Sequence, residues 1–132
     1  METIFYRCPI CGNIMLKLSG AQVTPHCCGQ PMERLEAGTT DGKTEYHVPA
    51  ITCCKDGTIT IKIGQSPHPM TDEHYIQFIY LETEHGGQIH YLKSGDEAAA
   101  TFHIGDKPTA IYAYCNIHGL WRNKIEPCKP KC

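Results

Sequence analysis

The apolar residues of this chain recur at every second position, in short runs separated by turn residues. Thr58 to Ile63 alternates, with Ile59, Ile61 and Ile63 on one side, which predicts a half-buried strand. A second run follows His74, where Ile76, Phe78 and Tyr80 are expected to share a face with that histidine and Gln77 to lie opposite. It continues to Thr83 and meets Glu84-His85-Gly86-Gly87, a hairpin signal, after which Gln88 to Lys93 returns. Ser94-Gly95-Asp96 turns again, Ala98 to Ile104 alternates, and Thr109 to Tyr114 is the last strong strand. No stretch carries a 3.6-residue period. Short strands at this spacing predict an all-β fold, with a β-sandwich of immunoglobulin-like build.

Ahead of that pattern, residues 1–36 read differently. A short strand, Ile14 to Leu18, leads to a Ser19-Gly20 turn, and Val23 to His26 returns to Cys27-Cys28-Gly29. With Cys8 and Cys11 the spacing is C-x2-C-x15-C-C, which suits one tetrahedral tetrathiolate site. A unit this small cannot bury a sufficient core, so a metal is expected to stabilise it. Spacing alone does not choose between zinc, the default, and iron. The polar stretch Glu36 to Gly42 reads as a linker, so the expected organisation is a metal-binding unit over 1–36 and a sandwich over 37–132.

Composition narrows the class of partner. The formal charge is -2 at 41% hydrophobic residues, so no broad basic surface invites nucleic acid or an anionic membrane. No apolar run approaches the ~20 residues of a bilayer span, and the acidic start Met1-Glu2 does not read as a signal peptide. A cytoplasmic location is therefore expected. In that reducing setting nine cysteines read as metal ligands rather than a disulfide framework, and the odd count leaves at least one thiol another fate.

A second set of ligand-type residues falls at strand ends. His68 and His74 flank Pro69-Met70-Thr71-Asp72-Glu73, and the proline stiffens that loop. Alone, two histidines beside a strand are ordinary. His47, two residues before Pro49, and the Cys115-Asn116-Ile117-His118 turn change the count to four imidazoles and one thiolate. Structural zinc closes at four ligands, whereas five suit an octahedral metal with one open position, and a redox metal if that position is used. His26, His85, His90 and His103 fit this set less well; His85 belongs to the hairpin turn, and His90 and His103 read as solvent-facing strand positions.

Glu45-x-His47-Val48-Pro49, Ser66-Pro67-His68-Pro69-Met70, Glu73-His74-Tyr75-Ile76 and Tyr114-Cys115-Asn116-Ile117-His118-Gly119-Leu120-Trp121 closely resemble the superoxide reductases. With the N-terminal cysteines, nearly the whole chain resembles a desulfoferrodoxin, the two-iron class. The resemblance implies a desulforedoxin-like first domain with iron on Cys8, Cys11, Cys27 and Cys28. It implies a second iron with His47, His68, His74 and His118 in its equatorial plane and Cys115 axial. The implied reaction is one-electron reduction of superoxide to hydrogen peroxide, for detoxification, with a rubredoxin-like electron donor and a homodimeric state. Glu45 matches the acid that occupies the open position of the oxidised family site.

Two departures stand out. The family usually places lysine between that acid and its histidine, where this chain has Tyr46; Lys43 lies three residues upstream and could supply the missing charge. Cys53, Cys54, Cys128 and Cys132 lie outside the family's ligand set and are expected to be free thiols, with a third metal site or an oxidised pair as alternatives. The competing functional readings are a two-iron electron carrier with little turnover, and a structural zinc protein with a β-sandwich binding module.

Overall fold

The computed structural model describes residues 3–38, 47–64 and 68–125, with the side chain of Cys53 excepted. By its internal contacts the chain divides into two units, Met1–Glu36 and Ala37–Cys132.

The first unit is built from five short strands: β1 (Ile4–Arg7), β2 (Ile14–Lys17), β3 (His26–Cys27), β4 (Gln30–Pro31) and β5 (Glu33–Arg34). β1 lies between β2 and β5, and β3 pairs with β4 as a separate hairpin. Its buried cluster comprises Tyr6, Cys8 and Met32, with Ile4 and Cys27 packed against it. Burying a large apolar side chain contributes only about 1.5–3 kcal/mol. Ordering the backbone costs about 1–2 kcal/mol per residue. A cluster this small therefore cannot fix the unit unaided.

The second unit is a sandwich of two antiparallel sheets. One sheet has the order β10-β7-β6, from β6 (Pro49–Lys55), β7 (Thr58–Ile63) and β10 (Ala99–His103). The other has the order β12-β11-β8-β9, from β8 (Ile76–Thr83), β9 (Gly86–Tyr91), β11 (Pro108–Cys115) and β12 (Gly119–Lys124). The three-plus-four division is that of an immunoglobulin-like sandwich. The core between the sheets holds Ile59, Ile61 and Ile63 of β7, as their alternation predicts, against Ile79, Leu81, Ile111 and Ala113. β6 and β12 were not legible as strands, because Cys53-Cys54 and Trp121-Arg122-Asn123 break the two-residue alternation.

The hairpin after β8 closes on Glu84-His85, with Thr83 opposite Gly86. Gly87 is required for another reason: a Cβ there would stand 2.0 Å from the Tyr80 hydroxyl. β8 departs from the strict alternation its sequence predicts. Tyr114 pairs with Phe78 but Cys115 pairs with Ile76, so a bulge interrupts the ladder. It turns Ile76 into the core with Ile79 and Leu81, whereas Phe78 stacks on Tyr114, ring centroids 5.7 Å apart. Bulges of this kind re-aim side chains beside functional sites, and this one lies between His74 and Cys115. No helix among the described residues is long and apolar enough to cross a membrane.

Candidate metal centres

In the first unit the ligand atoms of Cys8, Cys11, Cys27 and Cys28 all lie within 4.8 Å of one another. Two local devices bring them together. The turn after β1 folds back so that Cys8 Sγ accepts the N–H groups of Ile10 at 3.4 Å and Cys11 at 3.5 Å. Adjacent side chains on an extended strand point apart, so Cys27 and Cys28 cannot converge while both remain extended. Cys28 instead adopts φ +54° and Gly29 φ +73°, forming the two-residue turn between β3 and β4. Two such residues are the signature of a type I′ hairpin, where asparagine or glycine is usual. A cysteine held there costs ~1–2 kcal/mol. Its sulfur then stands 4.0 Å from that of Cys27, which is 3.7 Å from that of Cys11.

The protonation of these thiols is graded. The Cys11 N–H, followed by that of Ile10, brings the Cys8 thiol down to about 6. Bonds shared with the thiols of Cys11, Cys8 and Cys27 push Cys28 up to about 12. One thiolate forms readily and the last holds its proton, so a cation is needed to make four thiolates at neutral pH.

In the second unit four imidazoles form a ring. Centroids of His47 and His68 are 4.7 Å apart, His68 and His74 4.8 Å, His74 and His118 5.0 Å, and His118 and His47 4.6 Å. Neighbouring rings meet nearly edge to face, while His47 and His74 face each other across 6.4 Å at 30°. Ligand atoms of His47, His74, Cys115 and His118 lie within 4.8 Å of one another, and His68 joins from the corner between His47 and His74.

Each member is held by its own element. β11 delivers Cys115, and the turn Asn116-Ile117-His118 closes on Gly119 at φ +83°, with Cys115 opposite Gly119. The His118 N–H bonds Cys115 Sγ at 3.4 Å. His68 Nδ1 lies 2.6 Å from the Pro69 carbonyl and, as donor to it, leaves Nε2 as the free acceptor. His47 stacks on Trp121 at 4.8 Å and 17°. Gly38 also packs close to Trp121, where a Cβ would come within 3.0 Å of the indole. Trp121 closes the motif that begins at Tyr114, but its contact with His47 leaves no mark in spacing.

These residues fit a metal. His68 Nε2 and His74 Nε2 are buried and have no hydrogen-bond partner among the described residues, a costly state for polar atoms unless an ion completes them. His47 Nε2 and His118 Nδ1 stand 3.0 Å apart, the separation of two nitrogens each ~2.1 Å from one ion at right angles. Burial pushes His68 down to about 4, with His47, His74 and His118 adding to the effect, so its ring is neutral and its Nε2 keeps a lone pair to donate. Cys115, His47 and His68 are buried, whereas His74 and His118 are half-buried.

Two family models match the chain: "Desulfoferrodoxin" over residues 39–124, and "Desulfoferrodoxin, N-terminal domain" over residues 2–35. The chain belongs to the desulfoferrodoxin family. A desulfoferrodoxin of Syntrophotalea carbinolica is 40% identical over 119 residues, 90% of this chain and 94% of that protein. The superoxide reductase of Pyrococcus abyssi is 36% identical over 104 residues, 65% of this chain and 90% of that protein. The crystal structure of the superoxide reductase from Treponema pallidum matches with a TM-score of 0.77 at 28% identity, over 93% of this chain and 98% of that one. Membership decides for iron at the tetrathiolate, where spacing alone left zinc open.

Glu45, Tyr46 and Lys43 lie outside the described residues, as do Cys128 and Cys132. Cys54 corrects the free-thiol expectation: it is buried and disulfide-bonded. Sequence could not show this, because the bond depends on a second sulfur being brought to about 2 Å by the fold. His26, His90 and His103 are exposed. His85 is pinned to Asp106 at 3.0 Å, with its own N–H on the same carboxylate.

Proposed function

We propose that this protein is a superoxide reductase, in which Cys8, Cys11, Cys27 and Cys28 hold one iron and His47, His68, His74, His118 and Cys115 hold the other. The observation that carries this is the ring of four imidazoles beside a buried cysteine sulfur, with two buried nitrogens that have no hydrogen-bond partner among the described residues. Iron there supplies a one-electron couple, so that superoxide, one electron and two protons give hydrogen peroxide. The chain's own work is positioning. Pro69 fixes the tautomer of His68, Trp121 holds the plane of His47, and the His118 N–H withdraws charge from the Cys115 sulfur.

Glu45 would supply a carboxylate to the iron once it is oxidised. Tyr46 carries no charge at neutral pH, so Lys43 is assigned the attraction of the superoxide anion. The wider reading is a cytoplasmic homodimer that detoxifies superoxide with electrons from a rubredoxin-like donor. Exposed Ile10, Met15, Leu18 and Val23 in the first unit support an apolar contact with a second chain.

Cys115→Ser in the iron-loaded protein tests the assignment. It should remove the sulfur-to-iron charge-transfer band of the second centre and at least ten-fold of the superoxide consumption. Survival of both would place the thiolate elsewhere. In the same assay Lys43→Ala should slow capture at low salt and have less effect at high salt; equal rates at both would remove Lys43 from the mechanism.

A further inference from the structure

We propose that Asn116 is a positioning residue that sets His74 against the Cys115–His118 turn through its side-chain amide. The inference rests on reading the five-residue set as an iron site. Asn116 Oδ1 accepts the N–H of Tyr75 at 2.9 Å, and Asn116 Nδ2 donates to the carbonyl of Glu73 at 3.0 Å. One amide thereby grips the residues on both sides of His74. The Asn116 N–H also donates to the Tyr75 carbonyl at 3.2 Å.

The backbone of His74 is engaged elsewhere. Its N–H meets the carbonyl and hydroxyl of Thr71, and its carbonyl accepts the Thr71 N–H at 3.0 Å. The 71–74 turn is thus closed on itself and tied outward at Asp72, which accepts the Ser94 hydroxyl, so the residues flanking His74 are left for Asn116 to hold. The β8–β11 ladder does not hold them, because the register slips between Tyr114 and Cys115. Asn116 bonds across that gap from the position directly after the sulfur ligand. Asparagine suits the task because it offers an acceptor and donors on one short planar group. Aspartate could take the Tyr75 N–H but could not donate to Glu73, and leucine could do neither.

The test compares Asn116→Leu and Asn116→Asp with the parent protein and repeats both in a His74→Ala background. Readouts are iron affinity at the second centre by chelator competition, the energy of its visible charge-transfer band, and the melting temperature of the metal-free protein. Asn116→Leu should weaken iron binding about 10- to 100-fold and shift the band, with Asn116→Asp between it and the parent. In the His74→Ala background the same changes should add less than about two-fold, because the effect runs through His74. Equal losses in both backgrounds would overturn the proposal. So would a lowered melting temperature with unchanged affinity and band, which is the signature of a merely structural amide. A parent protein with no second band after iron loading would instead refute the site itself, and the positioning role with it.

Discussion

At the scale of single residues, one imidazole of the second centre is kept neutral by burial. It is that of His68, since burial lowers it to about 4 while an exposed histidine titrates near 6.5. Between those values the unfolded chain takes up a proton that the native protein refuses. The stability contributed by neutral His68 is therefore complete above about pH 6.5 and lost as pH falls toward 4, at a cost of up to about 3 kcal/mol. The metal-free protein should melt at progressively lower temperature from pH 7 to pH 4.5, and His68→Gln should flatten that profile. An unchanged slope in His68→Gln would assign the acid sensitivity to other groups. The ligand types were legible at this scale because cysteine and histidine at short spacings have few other uses together. Trp121 behind His47, and the amide of Asn116, were not, because each acts through a contact between residues distant in sequence.

At the scale of elements, alternation was a good guide where a strand is regular and failed where it is not. β7 keeps strict period two and its three isoleucines enter the core as read. β8 does not, and its bulge moves Ile76 away from the face of Phe78 and Tyr80. A bulge leaves no mark in composition, since it is set by pairing with β11. The β3–β4 hairpin illustrates the opposite case, where chemistry overrides conformational preference: Cys28 occupies a left-handed turn position because its sulfur must meet that of Cys27. Cys28→Ser removes the ligand while keeping the strained backbone. It should cost the first unit its iron and its fold, seen as loss of the tetrathiolate absorption and rapid proteolysis within residues 1–36. The second centre should keep its band and its reaction with superoxide, because its ligands lie on other elements. Loss of that reaction in protein still loaded at the second centre would show the two irons to be coupled.

At the scale of the whole molecule, two units carry two different solutions to metal binding. The first has a small core among the described residues and relies on four thiolates, while the second gathers four imidazoles and one sulfur on a full sandwich core. Five donors would suit an octahedral metal with room for a small anion, which simple electron carriage does not need. The measurement that decides is rapid mixing of the fully reduced, iron-loaded protein with superoxide under anaerobic conditions, following the visible band and the hydrogen peroxide formed. A reductase yields one hydrogen peroxide per superoxide consumed, no oxygen, and one oxidised second centre for each turnover. One hydrogen peroxide and one oxygen for every two superoxide would contradict it as dismutation, and superoxide decaying at its rate in buffer would contradict it as inactivity.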